Sequence, residues 1–295
     1  MKRQLVLVHG RSQQGKDPAA LKKQWVDVLK QGLGDRTLPI DVDDVRFPFY
    51  GDALIDLMDG RTPDQIVVMG DGVDAEQRVF MQEVMTEVKE RAKLTDAEVR
   101  AAAAESGATP EVIEQGPQNW GWVNAVARAL DHKGFSGQTV ALATHDVYCY
   151  LIDQGIKDTI DEGVAQAFTP GVETVVVGHS LGSVVAHAVL KDRGQDEGWV
   201  VPLYVTVGSP LAIGRIKQSI LVPRWPKCLD RWYNARDKND IVALYPLDAE
   251  HFGVGDEHEI ENTEVVNQTP NQHGIAGYLD KRAVANVIYE ALGGV

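Results

Sequence analysis

The stretch that most constrains this chain runs from Glu173 to Leu190, E-T-V-V-V-G-H-S-L-G-S-V-V-A-H-A-V-L. A β-branched apolar run ends at Gly178, the chain turns at Ser180, and apolar residues return at helical spacing with Val184, Val185, Ala188 and Val189. That pattern predicts a buried strand, a tight turn and a helix packed back along the strand. Gly178 and Gly182 stand two positions either side of Ser180, where helix and strand pass too close to admit a side chain. A strand of this kind needs neighbours on both sides and helices on both faces, so the stretch fixes the class of the whole chain as α/β.

The rest of the sequence supplies those neighbours. Leu5-Val-Leu-Val8 reads as a short strand, and Asp17-Pro18 opens a helix carrying Leu21, Trp25, Val28 and Leu29 that stops near Gly32 and Gly34. A second strand is expected over 39–47. More than a hundred residues then precede Glu173, far beyond the length of a minimal crossover. Phe80, Met81, Val84, Met85 and Val88 form one helical stripe, Thr95 with Glu98 a capping box, Thr109-Pro110 a short helix start, and Trp122, Val123, Val126 and Leu130 another stripe. We read 52–135 as a helical cap or insertion. Val140–Ala143 fits either a short strand or a helix start, and 146–168 reads as one long helix returning the chain to the sheet. Further strands are expected over 199–207, 231–235 and 258–266. A helix is expected over 213–221, and a last one from Gly277. The expectation is one domain over 1–295, with a mostly parallel, doubly wound sheet of about six or seven strands.

The pentapeptide Gly178-His179-Ser180-Leu181-Gly182 is G-x-S-x-G, and between a strand and a helix it resembles the nucleophile elbow of the α/β-hydrolase superfamily, in particular its serine esterases and lipases. The resemblance covers about 4–51 and 136–292 by element order, with no room before Leu5 for the first two strands of that family. It implies Ser180 as nucleophile, followed in chain order by an acid and a histidine. His273, between the last expected strand and helix, fits the general base, with His258 and His251 as rivals. Asp240, in Asn239-Asp240-Ile-Val242, fits the acid. Asp237 and Asp248 compete, although Arg236 and Lys238 beside Asp237 make it a local ion-pair candidate. Leu181 supplies one oxyanion donor by position at the helix start. His9-Gly10-Arg11 is similar to the HG element of lipases, which implies Arg11 N–H as the second donor, with Gly10 as alternative.

Other side chains take plainer readings. His9 supports its loop, His179 packs beside the turn, and His187 is buried on the helix. Arg11 and Ser12 are solvent-exposed unless they receive an anionic group of the substrate. Trp120, Trp122, Phe80, Met81 and Met85 either line an acyl pocket or form the core of the insertion. No metal-ligand spacing, Walker loop or dinucleotide fingerprint occurs, since Gly70 with Gly72 and Gly253 with Gly255 are isolated pairs, so no cofactor is expected.

The formal charge of −14 argues against nucleic acid and anionic membrane surfaces as partners. The apolar run after Lys2 and Arg3 is too short for a secretory signal, and no stretch approaches a membrane span. With only Cys149 and Cys228, no disulfide framework is expected, and the location read from this is cytoplasmic. The function expected is hydrolysis of a carboxylic ester of a small acyl substrate through an acyl-enzyme. An amidase or peptidase using the same residues, or a non-catalytic hydrolase-like binding protein, is the alternative.

Overall fold

The computed structural model describes residues 2–10, 13, 15–57, 74–105, 120–220 and 222–294. Six parallel strands form one open sheet: β1 Arg3–Val8, β2 Val45–Arg46, β3 Glu173–His179, β4 Val200–Val207, β5 Trp232–Arg236 and β6 Glu261–Glu264, in the order β2-β1-β3-β4-β5-β6. The helices are α1 Pro18–Leu33, α2 Gly51–Leu57, α3 Ala75–Arg91, α4 Asp96–Glu105, α5 Trp120–His132, α6 Gly137–Ile152, α7 Gln154–Ala165, α8 Leu181–Arg193, α9 Gly214–Ser219, α10 Ala249–Phe252, α11 Ala276–Leu279 and α12 Arg282–Ala291.

Side chains of one strand alternate between faces, and here both faces are buried. Leu5, Leu7, Val175, Val177, Leu203 and Val205 meet Trp25 and Leu29 of α1 and Val284 and Ile288 of α12. Val6, Val8, Val176, Tyr204 and Trp232 meet Val184 and Val185 of α8 on the opposite face. That second core continues without a break through Phe80, Met81, Val84, Met85 and Val88 of α3 and Val123, Val126 and Leu130 of α5, all fully buried. The helices between β2 and β3 therefore share the core of the sheet, and Phe80, Met81 and Met85 are core residues. No separate cap is distinguished from the body among the described residues.

Local signals formed where the chemistry was short-ranged. Asp17 caps α1 through the Ala19 and Ala20 amides, with Pro18 opening the helix. Thr95 and Glu98 form the reciprocal capping box, at 2.7 Å from the Thr95 amide to Glu98 Oε2 and 3.3 Å from the Glu98 amide to Thr95 Oγ1.

The strand expected over 39–47 is reduced to two residues, because Val42–Asp44 winds into a 3₁₀ turn before it. Of the two readings open for Val140–Ala143 the helix is the one observed, within the first turns of α6. The long helix expected over 146–168 is two helices, broken at Asp153, whose carboxylate accepts the Ile156 amide at 3.0 Å and caps α7. The helix start at Thr109-Pro110 lies outside the described residues. No described helix is long and apolar enough to cross a membrane, and Cys149 and Cys228 are both free.

Candidate active site

Ser180 sits at the sharp turn between β3 and α8 with φ 53° and ψ −127°, a backbone region that costs a residue with a Cβ about 1–3 kcal/mol. The surroundings impose it. Its amide donates to the Val207 carbonyl of β4 at 3.2 Å, and its carbonyl accepts the Ser183 amide at 2.9 Å. Ser183 Oγ adds a second bond to that carbonyl at 2.6 Å and meets Ser209 Oγ at 2.7 Å. A Cβ at Gly178 would lie 2.7 Å from Ser183 Cα, and one at Gly182 would lie 2.5 Å from the His9 carbonyl oxygen. Both glycines are thus required by close approach, Gly178 by the strand–helix contact the sequence pattern implied and Gly182 by the neighbouring strand end of β1.

The loop leaving β1 closes on the same turn. A Cβ at Gly10 would fall 2.9 Å from Ser180 Cβ. His9 anchors this loop: its Nε2 accepts the Tyr50 amide at 3.1 Å and its Nδ1–H donates to the Gly10 carbonyl at 2.7 Å. The Tyr50 ring stacks on the imidazole at 4.0 Å, and the Tyr50 hydroxyl donates to the His9 carbonyl. With both nitrogens engaged and water excluded, burial pushes His9 down to about 4, so it remains neutral. Leu181 opens α8, where backbone N–H groups have no partner within the helix. Arg11 and Ser12 lie outside the described residues, which leaves Gly10 as the described residue of this loop beside Ser180.

His273 and Asp240 arrive from the loops after β6 and β5. His273 Nδ1–H donates to Asp240 Oδ2 at 2.8 Å, and both residues are buried. Asp240 Oδ1 accepts the Val242 amide at 2.9 Å, and Oδ2 also accepts the Tyr278 hydroxyl at 2.6 Å. Burial opposes the charge of Asp240, but the charge of His273 and the hydrogen bonds from His273, Tyr278 and Val242 outweigh it and hold the carboxyl below its usual range. A Cβ at Gly208, the residue after Val207, would lie 3.1 Å from His273 Nδ1 and 3.2 Å from Asp240 Oδ2. The rings of His179 and His273 are 4.8 Å apart, and His179 Nε2–H donates to the His273 carbonyl at 2.7 Å. Burial pushes His179 down to about 3, so it too stays neutral.

Ser180, the His273–Asp240 pair, Gly10 and Leu181 thus all lie at the carboxyl ends of β1, β3, β4 and β5, the edge where parallel sheets place their ligand sites, with no hydrogen bond between Ser180 Oγ and His273 Nε2. Two buried polar atoms there, Ser180 Oγ and His273 Nε2, have no hydrogen-bond partner. Buried polar atoms are nearly always paired, and the exceptions call for a chemical reason.

The rival residues are used elsewhere. His251 bonds Asp248 at 2.7 Å, and His258 stacks on Trp225 at 4.6 Å. His187 is buried on α8, its Nε2 on the Arg224 carbonyl at 3.0 Å. Asp237 is neither solvated nor paired with Arg236, which bonds Glu264 instead. Its carboxylate accepts the Asn239 amide at 2.8 Å and the Asn267 amide at 2.6 Å, tying the Asp240 loop to the loop bearing His273. Asn267 Nδ2 then donates to the Gly274 carbonyl at 2.9 Å. Sequence reasoning missed Tyr278, Asp237 in this role and Asn267. Only the Asn-rich run before His273 hinted at side-chain braces in that loop. Among the described residues no group of His, Cys, Asp and Glu could hold a metal ion.

The chain has the α/β class with a buried serine, imidazole and carboxylate at one sheet edge. No family model, no curated protein and no solved structure matches it.

Proposed function

We propose that the protein is a serine hydrolase of the α/β-hydrolase type that cleaves a carboxylic ester through an acyl-enzyme. The observation that carries this reading is the pair of partnerless buried atoms, Ser180 Oγ and His273 Nε2, with the other imidazole nitrogen already bonded to Asp240. A serine hydroxyl needs a base to become a nucleophile, and an imidazole whose Nδ1–H is engaged offers its Nε2 lone pair for that purpose.

In the reaction, Ser180 Oγ attacks the ester carbonyl carbon while its proton passes to His273 Nε2. Asp240 holds the imidazole tautomer and balances the imidazolium charge. The carbonyl oxygen, now anionic, is received by the Leu181 N–H and by the loop after β1 at Gly10 and Arg11. His273 returns the proton to the departing alkoxide. Water then repeats the sequence on the acyl-serine and releases the acid. The strand order is not the full order of the α/β-hydrolase family, so the reading rests on the turn and the buried constellation.

The test is covalent labelling by a fluorophosphonate together with turnover of p-nitrophenyl esters and matched p-nitroanilides. Ser180→Ala is expected to abolish labelling and ester turnover while the fold is retained. Undiminished labelling in that variant removes the reading, and turnover of anilides alone replaces ester by amide as the substrate class.

A further inference from the structure

We propose that Tyr278 is a positioning residue that lowers the basicity of the His273 imidazole by sharing the Asp240 carboxylate with it. The proposal rests on His273 acting as the general base. It starts from one oxygen: Asp240 Oδ2 accepts both the His273 Nδ1–H at 2.8 Å and the Tyr278 O–H at 2.6 Å. Asp240 Oδ1 is occupied by the Val242 amide at 2.9 Å and the Ala243 amide at 3.4 Å. Among the described residues no lysine or arginine pairs with this carboxylate. Its charge is therefore divided among hydrogen-bond donors, and what one donor draws is withdrawn from the others.

The direction of the Tyr278 proton is determined by its second contact. The Asp237 amide donates to the Tyr278 oxygen at 3.2 Å, which occupies a lone pair and leaves the O–H to Asp240. Burial, reinforced by the Asp240 charge, raises the Tyr278 hydroxyl well above its ordinary value, so it remains a donor at every pH the fold survives.

Removal of that O–H returns charge on Oδ2 to the imidazolium and raises the proton affinity of His273. The groups around His273 are Asp240 from the loop after β5, Tyr278 from α11 on the same carboxylate oxygen, and His179 from β3. Asp237 lies behind Tyr278, and His9 lies on the far side of the turn. His179 and His9 stay neutral above about pH 5, because burial holds them to about 3 and about 4. Neither ring therefore contributes a midpoint above about pH 5.

The experiment follows the ring nitrogens of His273 by NMR across that pH range in the full chain, with the resonance assigned by its loss in His273→Asn. Tyr278→Phe is expected to move the midpoint up by about one pH unit, the scale of one hydrogen bond to a buried carboxylate. Replacing Tyr278 with 3-fluorotyrosine keeps both of its contacts, strengthens the donor, and is expected to move the midpoint down. It also decides the matter if Tyr278→Phe does not fold. Midpoints that do not move, or that move the other way, overturn the proposal. If the midpoints shift as expected while the unaltered protein resists fluorophosphonate, the coupling through Asp240 stands and the hydrolase reading fails.

Discussion

Alanine at position 182 would test the close approach that holds the serine turn. An ideal Cβ on Gly182 lies 2.5 Å from the His9 carbonyl oxygen and 2.7 Å from the Val8 carbonyl carbon. Both are backbone atoms of the strand end, so no side-chain rotation relieves them. Ordinary contact would require β1 and the first turn of α8 to separate by about 1 Å. Overpacking of this kind costs about 1–3 kcal/mol. The upper end applies because β1 is paired on both sides, to β2 and β3, and cannot move alone. At about 2–4 °C per kcal/mol, the melting temperature of Gly182→Ala should fall by about 6–12 °C. A displacement of about 1 Å between the Gly10 loop and Ser180 should also slow fluorophosphonate labelling by about 100-fold. Gly163→Ala is the control: that glycine lies in α7 with nothing within 4 Å of its added Cβ, and it should gain up to about 1 kcal/mol from helix propensity. Calorimetry and labelling kinetics on the two variants decide the matter. A Gly182→Ala protein melting within a degree of the unaltered chain would refute the argument.

On the proposed function, Asp240→Asn is expected to leave the fold intact and cut ester turnover by about 10⁴, the scale set when a carboxylate no longer fixes the imidazole tautomer; turnover within tenfold of the unaltered protein would count against the proposed role. Stability should fall as the solution is acidified from about pH 6.5. Burial holds His9, His179 and His187 to about 4, about 3 and about 4, so through this window the unfolded chain gains protons that the folded chain refuses. Each such histidine removes about 1.4 kcal/mol per pH unit below the ordinary imidazole value, until its own folded value is reached. Urea melts at pH 7, 6 and 5 should show a slope that steepens from about one and a half protons between pH 7 and 6 to nearly three between pH 6 and 5, and a flat profile would contradict the neutral burial of these rings.

What could be read from the sequence followed the range of the forces involved. The turn at Ser180 was legible because Gly178 answers to a contact between elements adjacent in the chain, whereas the contact that requires Gly182 is with the distant end of β1. The stripes of α3 and α5 were legible because helical periodicity reports burial directly. Asp153 breaks a continuous apolar pattern through a single side-chain cap, a contest between local bonds that periodicity does not register. Asp237 looked like a surface charge between Arg236 and Lys238. Its burial depends on the Asn267 amide thirty residues away, and no local pattern encodes that pairing. Tyr278 gave no sequence signal for the same reason: its hydroxyl acquires meaning only once Asp240 and Asp237 are brought to it by the fold.

The continuous apolar cluster that joins Phe80, Met85, Val126 and Leu130 to Val8, Val176 and Tyr204 has a consequence for how such a protein can diversify. Among the described residues there is no seam in the packing along which the helical stretch could be lifted away or grafted from another chain, since its removal would uncover part of the face it shares with α8. On the proposed function, variation in substrate is then expected to accumulate residue by residue in the loops at the rim, with the helices serving as fixed masonry beneath them.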